Sequence, residues 1–266
     1  MKNRLIGSII MIAIGVPILL MGGIFYTLLV LSIGLLGIKE MIEIRESKDP
    51  IPLMMKLITF GLFIFYVTFG ADFSNNKYFI DYYLFSLFIF TLLLPIIIYR
   101  DNRVYNINDA FYLMGVLLLI GTAFNILNVL RAEDLMLVIY LLVIAFVTDT
   151  YAYIGGNLIG KNKLIESISP KKTWEGLFSG TFFGTLIGSV VYYITINDSI
   201  DLWYIIICTT LLSLYGQFGD IIFSSIKRLY YKKDFSNLIP GHGGILDRID
   251  NLIFVVIGYV MLIHIL

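Results

Sequence analysis

The sequence predicts an all-α, polytopic integral membrane protein of about nine transmembrane helices, with its N-terminus in the cytoplasm. Three observations predict it. Of 266 residues, 59% are hydrophobic and only 14% charged. Apolar runs recur near the ~20 residues needed to cross a bilayer. Polar residues gather between those runs rather than along one face of each, so soluble readings are set aside.

Taken in order, hydropathy places spans at 5–20, 23–43, 53–71, 79–98, 109–130, 134–155, 174–196, 202–224 and 249–265. The opening MKNRLIGSIIMIAIGVPILLMGG has the basic start and apolar middle of a signal peptide. No convincing small-residue cleavage site follows and another apolar run comes at once, so it is read as a retained span. Alternating the loops between two sides puts all of the 19 Lys and Arg except Lys77 and Arg131 on the cytoplasmic side. A net charge of zero therefore hides a strong asymmetry.

The single Cys208 lies in an apolar segment and excludes a disulfide framework or thiolate cluster; it reads as a small buried hydrophobe. The chain reads as one membrane domain, 1–266, without repeats or a soluble module. Its first part, 1–133, is mainly scaffold with ordinary anchors such as Lys56 and Arg100, and 134–266 carries the chemistry.

Polar chemistry collects in VTDTYAYIGGNLIGKNKL (147–164), SPKKTWEG (169–176) and the stretch from GQFGD (216–220) to Asp250. With the loops so assigned, Asp149, SPKKTWEG, Asp220 and Asp247 all face the cytoplasm. Asp220, Ser224, Lys227 and Arg228 fall on one helix face at i, i+4, i+7 and i+8, and Asp247, Asp250 and Asn251 at i, i+3 and i+4. The loop between them holds Lys232, Lys233, Asp234 and the glycines of GHGG. A carboxylate inside a span costs about 2.5–3.5 kcal/mol on insertion scales, which makes Asp149 and Asp220 functional candidates. Hard oxygens without Cys or His clusters suit Mg²⁺, Lys and Arg beside them suit phosphate, and glycines around His242 let backbone amides approach an anion. These are parts of a phosphoryl or nucleotidyl transfer site.

Plainer readings compete. Lys232 alone is a topology anchor, Glu175 suits the first turn of a helix opened by Pro170, His264 is an interface residue, and His242 is either a loop histidine or a site group. GGNLIGKN (155–162) nearly matches a P-loop, but Asn162 replaces the metal-binding hydroxyl and no strand precedes it.

The stretch from Ser224 to Asp250 resembles the signature of the phosphatidate cytidylyltransferases, or CDP-diacylglycerol synthases. Ser224, Ile226, Lys227 and Arg228 match its first part, and Lys233, Asp234 and Ser236 its second. Ile239, Pro240, His242, Gly243 and Gly244 follow, and Asp247, Arg248, Ile249 and Asp250 close it. SPKKTWEG and the stretch around Asp149 also resemble the family, so the likeness covers roughly the C-terminal half.

The resemblance implies CTP + phosphatidate → CDP-diacylglycerol + pyrophosphate, dependent on Mg²⁺, with two ions of which the second is either Mg²⁺ or monovalent. It implies Asp220 and Asp247 as metal ligands, with Asp149 and Asp250 as further candidates. Catalytic roles fall to Asp220, Lys227, Arg228, Asp247 and His242. Lys171, Lys172, Lys233, Arg248, Ser224, Gly243 and Gly244 would hold or orient the triphosphate and lipid phosphate. CTP, phosphatidate and membrane lipids are the expected partners, with no nucleic acid, and the likeness suggests a homodimer in a bacterial inner membrane. The competing class is an ion-coupled transporter using Asp149 and Asp220. A CDP-alcohol phosphotransferase is excluded by the absence of D-G-x-x-A-R.

Overall fold

The apolar runs of the described chain become helices, because a backbone surrounded by hydrocarbon must satisfy its own N–H and C=O groups. The computed structural model describes residues 13–70, 82–99, 101, 103–197, 199–238 and 243–262. In order they form α1 (Gly23–Glu46), α2 (Leu53–Phe69), α3 (Tyr82–Tyr99), α4 (Ile107–Val116), a π-helical turn (Leu117–Gly121) and α5 (Thr122–Glu133). There follow α6 (Leu135–Leu158), β1 (Lys163–Ile165), β2 (Ser169–Thr173), α7 (Trp174–Thr195), α8 (Leu202–Leu229) and α9 (Leu246–Leu262).

Among the described residues, six helical runs are long and apolar enough to cross a membrane: α1, α3, α6, α7, α8 and the continuous Ile107–Glu133. The 17-residue α2 and α9 stand where two more spans are expected. The protein is an all-α polytopic membrane protein. The first expected span, 5–20, lies largely outside the described residues, as do Lys77 and His264.

Three differences from the expected boundaries affect the polar residues. Helix α8 runs on to Leu229, so Lys227 and Arg228 lie in its last turn, where cations complement the helix dipole. Helix α9 begins at Leu246, so Asp247 enters its first turn, where an acid is favoured. SPKKT is not a helix start but strand β2, antiparallel to β1 with Lys163 opposite Thr173 and Ile165 opposite Ser169. Strands of three and five residues, rich in Lys, Ser and Pro, are too short to show a period-two pattern.

The chain divides into two compact units, one of Met1–Ala132 with Asp234–Asp247, the other of Glu133–Lys233 with Arg248–Leu266. In the first, Phe63 and Phe124 meet edge to face at 6.2 Å, and Tyr66 and Phe88 at 5.4 Å. Gly34 admits the Phe63 ring, which a Cβ there would strike. A capping box starts α4, Asn106 accepting from the Asp109 amide while Asp109 accepts from the Asn106 amide.

In the second unit, Gly176, Gly180, Gly184 and Gly188 recur every four residues along α7 and bring it close to Ala152, Thr148 and Ile144 of α6. Small residues at this spacing let membrane helices approach each other's backbones. Thr148 shares a 2.8 Å hydrogen bond with Ser213, and Tyr140 another with Thr209, tying α6 to α8. On α9, Phe254 packs over Gly219 and Phe223, and Gly258 takes the Tyr215 ring.

Candidate active site

Strand alternation sends Lys171 and Lys172 to opposite sides of β2. Lys171 is exposed, whereas the Lys172 ammonium lies 2.6 Å from Asp220 Oδ2 and also donates to the Gln217 carbonyl at 3.4 Å. Gln217 is itself held by Thr181 Oγ1 at 2.9 Å. One turn on from Asp220, Ser224 Oγ donates to its Oδ1 at 3.4 Å. Asp220, Ser224 and the buried Lys227 thus share the expected helix face, and Arg228, expected with them, is exposed.

Asp149, on α6, accepts a hydrogen bond from the Asn251 side-chain amide, which also reaches the Ala145 carbonyl at 3.2 Å. Asp250, beside Asn251 on α9, is buried. Asp149, Asp220 and Asp250 stand close enough for their charges to act on one another, with Lys172 acting on Asp149 and Lys227 on Asp250. The second unit therefore concentrates three carboxylates and two ammonium groups drawn from α6, β2, α8 and α9.

Does this set fit a hard cation? Among the described residues, no three acidic, histidine or cysteine side chains already converge on one coordination point. The donor chemistry nevertheless fits: three carboxylates lie together, and Asn251 Oδ1 is buried without a hydrogen-bond partner. Buried polar oxygens are normally satisfied; this one packs against Gly216, and the carboxylates are the hard donors a divalent cation would take.

In the first unit, Asp247 Oδ2 accepts from the amides of Phe235 and Gly244, both at 2.9 Å. It organises its own loop, and the Gly244 amide is directed to this internal carboxylate. Gly243 has φ +84°, and a Cβ there would stand 2.9 Å from Asp247 Oδ2, so both conformation and space call for glycine.

The remaining expected residues separate. Arg228 is exposed and ties the end of α8 to the hairpin through the Ile168 carbonyl at 3.2 Å and to the Lys232 carbonyl at 2.9 Å. Lys233 and Arg248 are exposed. His242 lies outside the described residues. Glu175 accepts from the Asn162 amide and side chain, latching the hairpin to the start of α7. The GGNLIGKN segment forms the last turn of α6 and the residues after it, and serves close packing: Cβ atoms on Gly156 and Gly160 would meet Thr173 Oγ1 at 3.2 and 2.8 Å.

Sequence reasoning missed Glu40. It lies on α1, is buried, and accepts from Ser236 Oγ at 2.6 Å and from the amides of Ile245 and Leu246 at 2.8 Å. The available signal was an acid in a predicted span, the same signal that selected Asp149.

Comparison with known proteins places the whole chain in a family. Relatives named phosphatidate cytidylyltransferase occur in Staphylococcus haemolyticus and Staphylococcus saprophyticus, each 35% identical over 96% of this chain and 96% of their own length. One from Staphylococcus aureus is 33% identical over the same shares. The cytidylyltransferase family model matches residues 2–266, and the chain belongs to the cytidylyltransferase family.

Proposed function

We infer that this protein transfers CMP from CTP to phosphatidate, forming CDP-diacylglycerol and pyrophosphate. The observation that carries the reading is similarity along 96% of the chain to proteins of that name. Nothing in these comparisons favours an ion-coupled transporter.

In the reaction, a phosphate oxygen of phosphatidate bonds to the α-phosphorus of CTP, the α–β phosphoanhydride bond breaks, and pyrophosphate leaves. The nucleophile is already anionic near neutral pH, so no strong general base is needed. The difficulty is crowding of negative charge, and preorganised cations are the remedy. Lys172 and Lys227 supply fixed positive charge beside Asp220 and Asp250. We assign them, with Lys171, Lys233, Arg228 and Arg248, to the triphosphate and lipid phosphate. Ser224 orients these groups.

Nucleotidyl transfer in this family generally uses a divalent metal. We take it to be Mg²⁺, held by Asp220, Asp149 and Asp250, with a second ion that is Mg²⁺ or monovalent. Such ions, when bound, neutralise the attacking and leaving oxygens. In this reading, 1–266 is one membrane domain, its 134–266 part carrying most of the site. The site faces the cytoplasm of a bacterial inner membrane, where cytosolic CTP meets a leaflet lipid, and the enzyme is a homodimer.

Purified protein in bilayers with Mg²⁺, labelled CTP and phosphatidate is expected to yield lipid-linked CMP and pyrophosphate. No lipid-linked product would overturn the reading. Titration with Mn²⁺, followed by paramagnetic resonance, is expected to show bound ion that Asp220→Asn loses.

A further inference from the structure

We propose that Glu40 is a positioning residue of the transferase, acting through the residues that start α9. The proposal rests on the reading of Asp250, further along α9, as part of the cytidylyltransferase site. Glu40 is 3% exposed, and no ion pair joins it among the described residues. Its carboxylate instead takes three hydrogen bonds from the loop. Oε1 accepts from Ser236 Oγ at 2.6 Å and the Ile245 amide at 2.8 Å, and Oε2 from the Leu246 amide at 2.8 Å.

These donors sit at the two ends of one segment. Ser236 lies before the histidine–glycine stretch, while Ile245 and Leu246 bring the chain into the first turn of α9. Helix-start amides have no partners within their helix, and a carboxylate is a strong acceptor for them. Gly244 completes the fit, because a Cβ there would stand 2.5 Å from Glu40 Oε1. Asp247 clamps the same segment from within, through Phe235 and Gly244. Two carboxylates thus hold the described residues on either side of that stretch, and Glu40 is the one supplied from α1. Burying an acid in an apolar helix is costly, and a fold that needed only packing here would place an apolar residue. The geometry accounts for the acid if where α9 begins must be set finely.

Glu40→Gln keeps the shape but turns an amide N–H toward one donor, so at most two of the three bonds survive; Glu40→Ala removes all three. The test compares both with wild type in the same bilayer assay, with melting curves and counts of folded enzyme. The expected result for Glu40→Gln is a kcat about tenfold lower per folded molecule, and for Glu40→Ala about 100-fold lower. KM for CTP is expected to stay within about threefold in both. Wild-type turnover per folded molecule in Glu40→Gln, or activity falling only in proportion to folded protein, would overturn the proposal. So would a raised KM with unchanged kcat. A wild type that forms no lipid-linked CMP would instead bring down the functional reading itself.

Discussion

Asp109 in the first unit and Asp220 in the second each form a short ion pair, yet their surroundings are opposite in kind. Asp109 lies 2.7 Å from Arg45, and its other oxygen accepts from the Asn106 amide, so the carboxylate is fully occupied in starting α4. Asp220 lies 2.6 Å from Lys172 but shares its neighbourhood with Asp149 and Asp250. The first arrangement sets Asp109 and the exposed Asp49 about the Arg45 guanidinium and caps one helix start, which folding alone explains. The second gathers like charges, which opposes folding. A cluster kept against that opposition is the mark of a site rather than a scaffold.

The largest expected effect separates these two acids. Asp250→Asn should lower turnover about 10³-fold while leaving the melting temperature unchanged or raised, since a like charge is removed. Asp109→Asn should do the reverse, costing about 3 kcal/mol of stability while turnover per folded molecule survives. Thermal unfolding in detergent, beside CDP-diacylglycerol formation, checks both; matching profiles would break the comparison.

The two lysines of β2 sharpen it next. Lys172→Met removes the cation on Asp220 and should lower kcat about 100-fold. Lys171→Met, which removes only a contact to substrate phosphate, should raise KM about threefold to tenfold and leave kcat within about twofold. Equal losses in steady-state kinetics would show that strand alternation does not divide their roles.

Glycine substitutions give a smaller contrast within the first unit. Gly244→Ala drives a Cβ against the Glu40 carboxylate and should cost about 1–3 kcal/mol. Gly61→Ala, with open space around it inside α2, should be neutral or stabilise by up to about 1 kcal/mol. Smallest of all, Glu175→Gln should leave turnover within about twofold and the melting curve unmoved, because its bonds to Asn162 only latch a surface hairpin.

The helices were legible because hydrocarbon leaves the backbone little other choice, and hydropathy records that constraint directly. The face carrying Asp220, Ser224 and Lys227 was legible because helical spacing is fixed once the helix is known. The hairpin was not, since its strands are short and polar. Nor was the parting of Lys171 from Lys172, which depends on that hairpin. Asn251 was visible only as a spacing, and its buried, unpaired oxygen requires tertiary packing. Glu40 was hidden for another reason: its partners Ser236, Ile245 and Leu246 lie about two hundred residues away in the chain. A helical repeat shows which residues share a face, not which distant loop that face will hold.

The most direct test is transfer of CMP from labelled CTP to phosphatidate by Asp220→Asn protein, reconstituted in bilayers and folded by its melting curve. The account predicts turnover at least about 100-fold below wild type with the fold intact. Turnover within about twofold of wild type would contradict it, leaving the acidic cluster without a part in the chemistry.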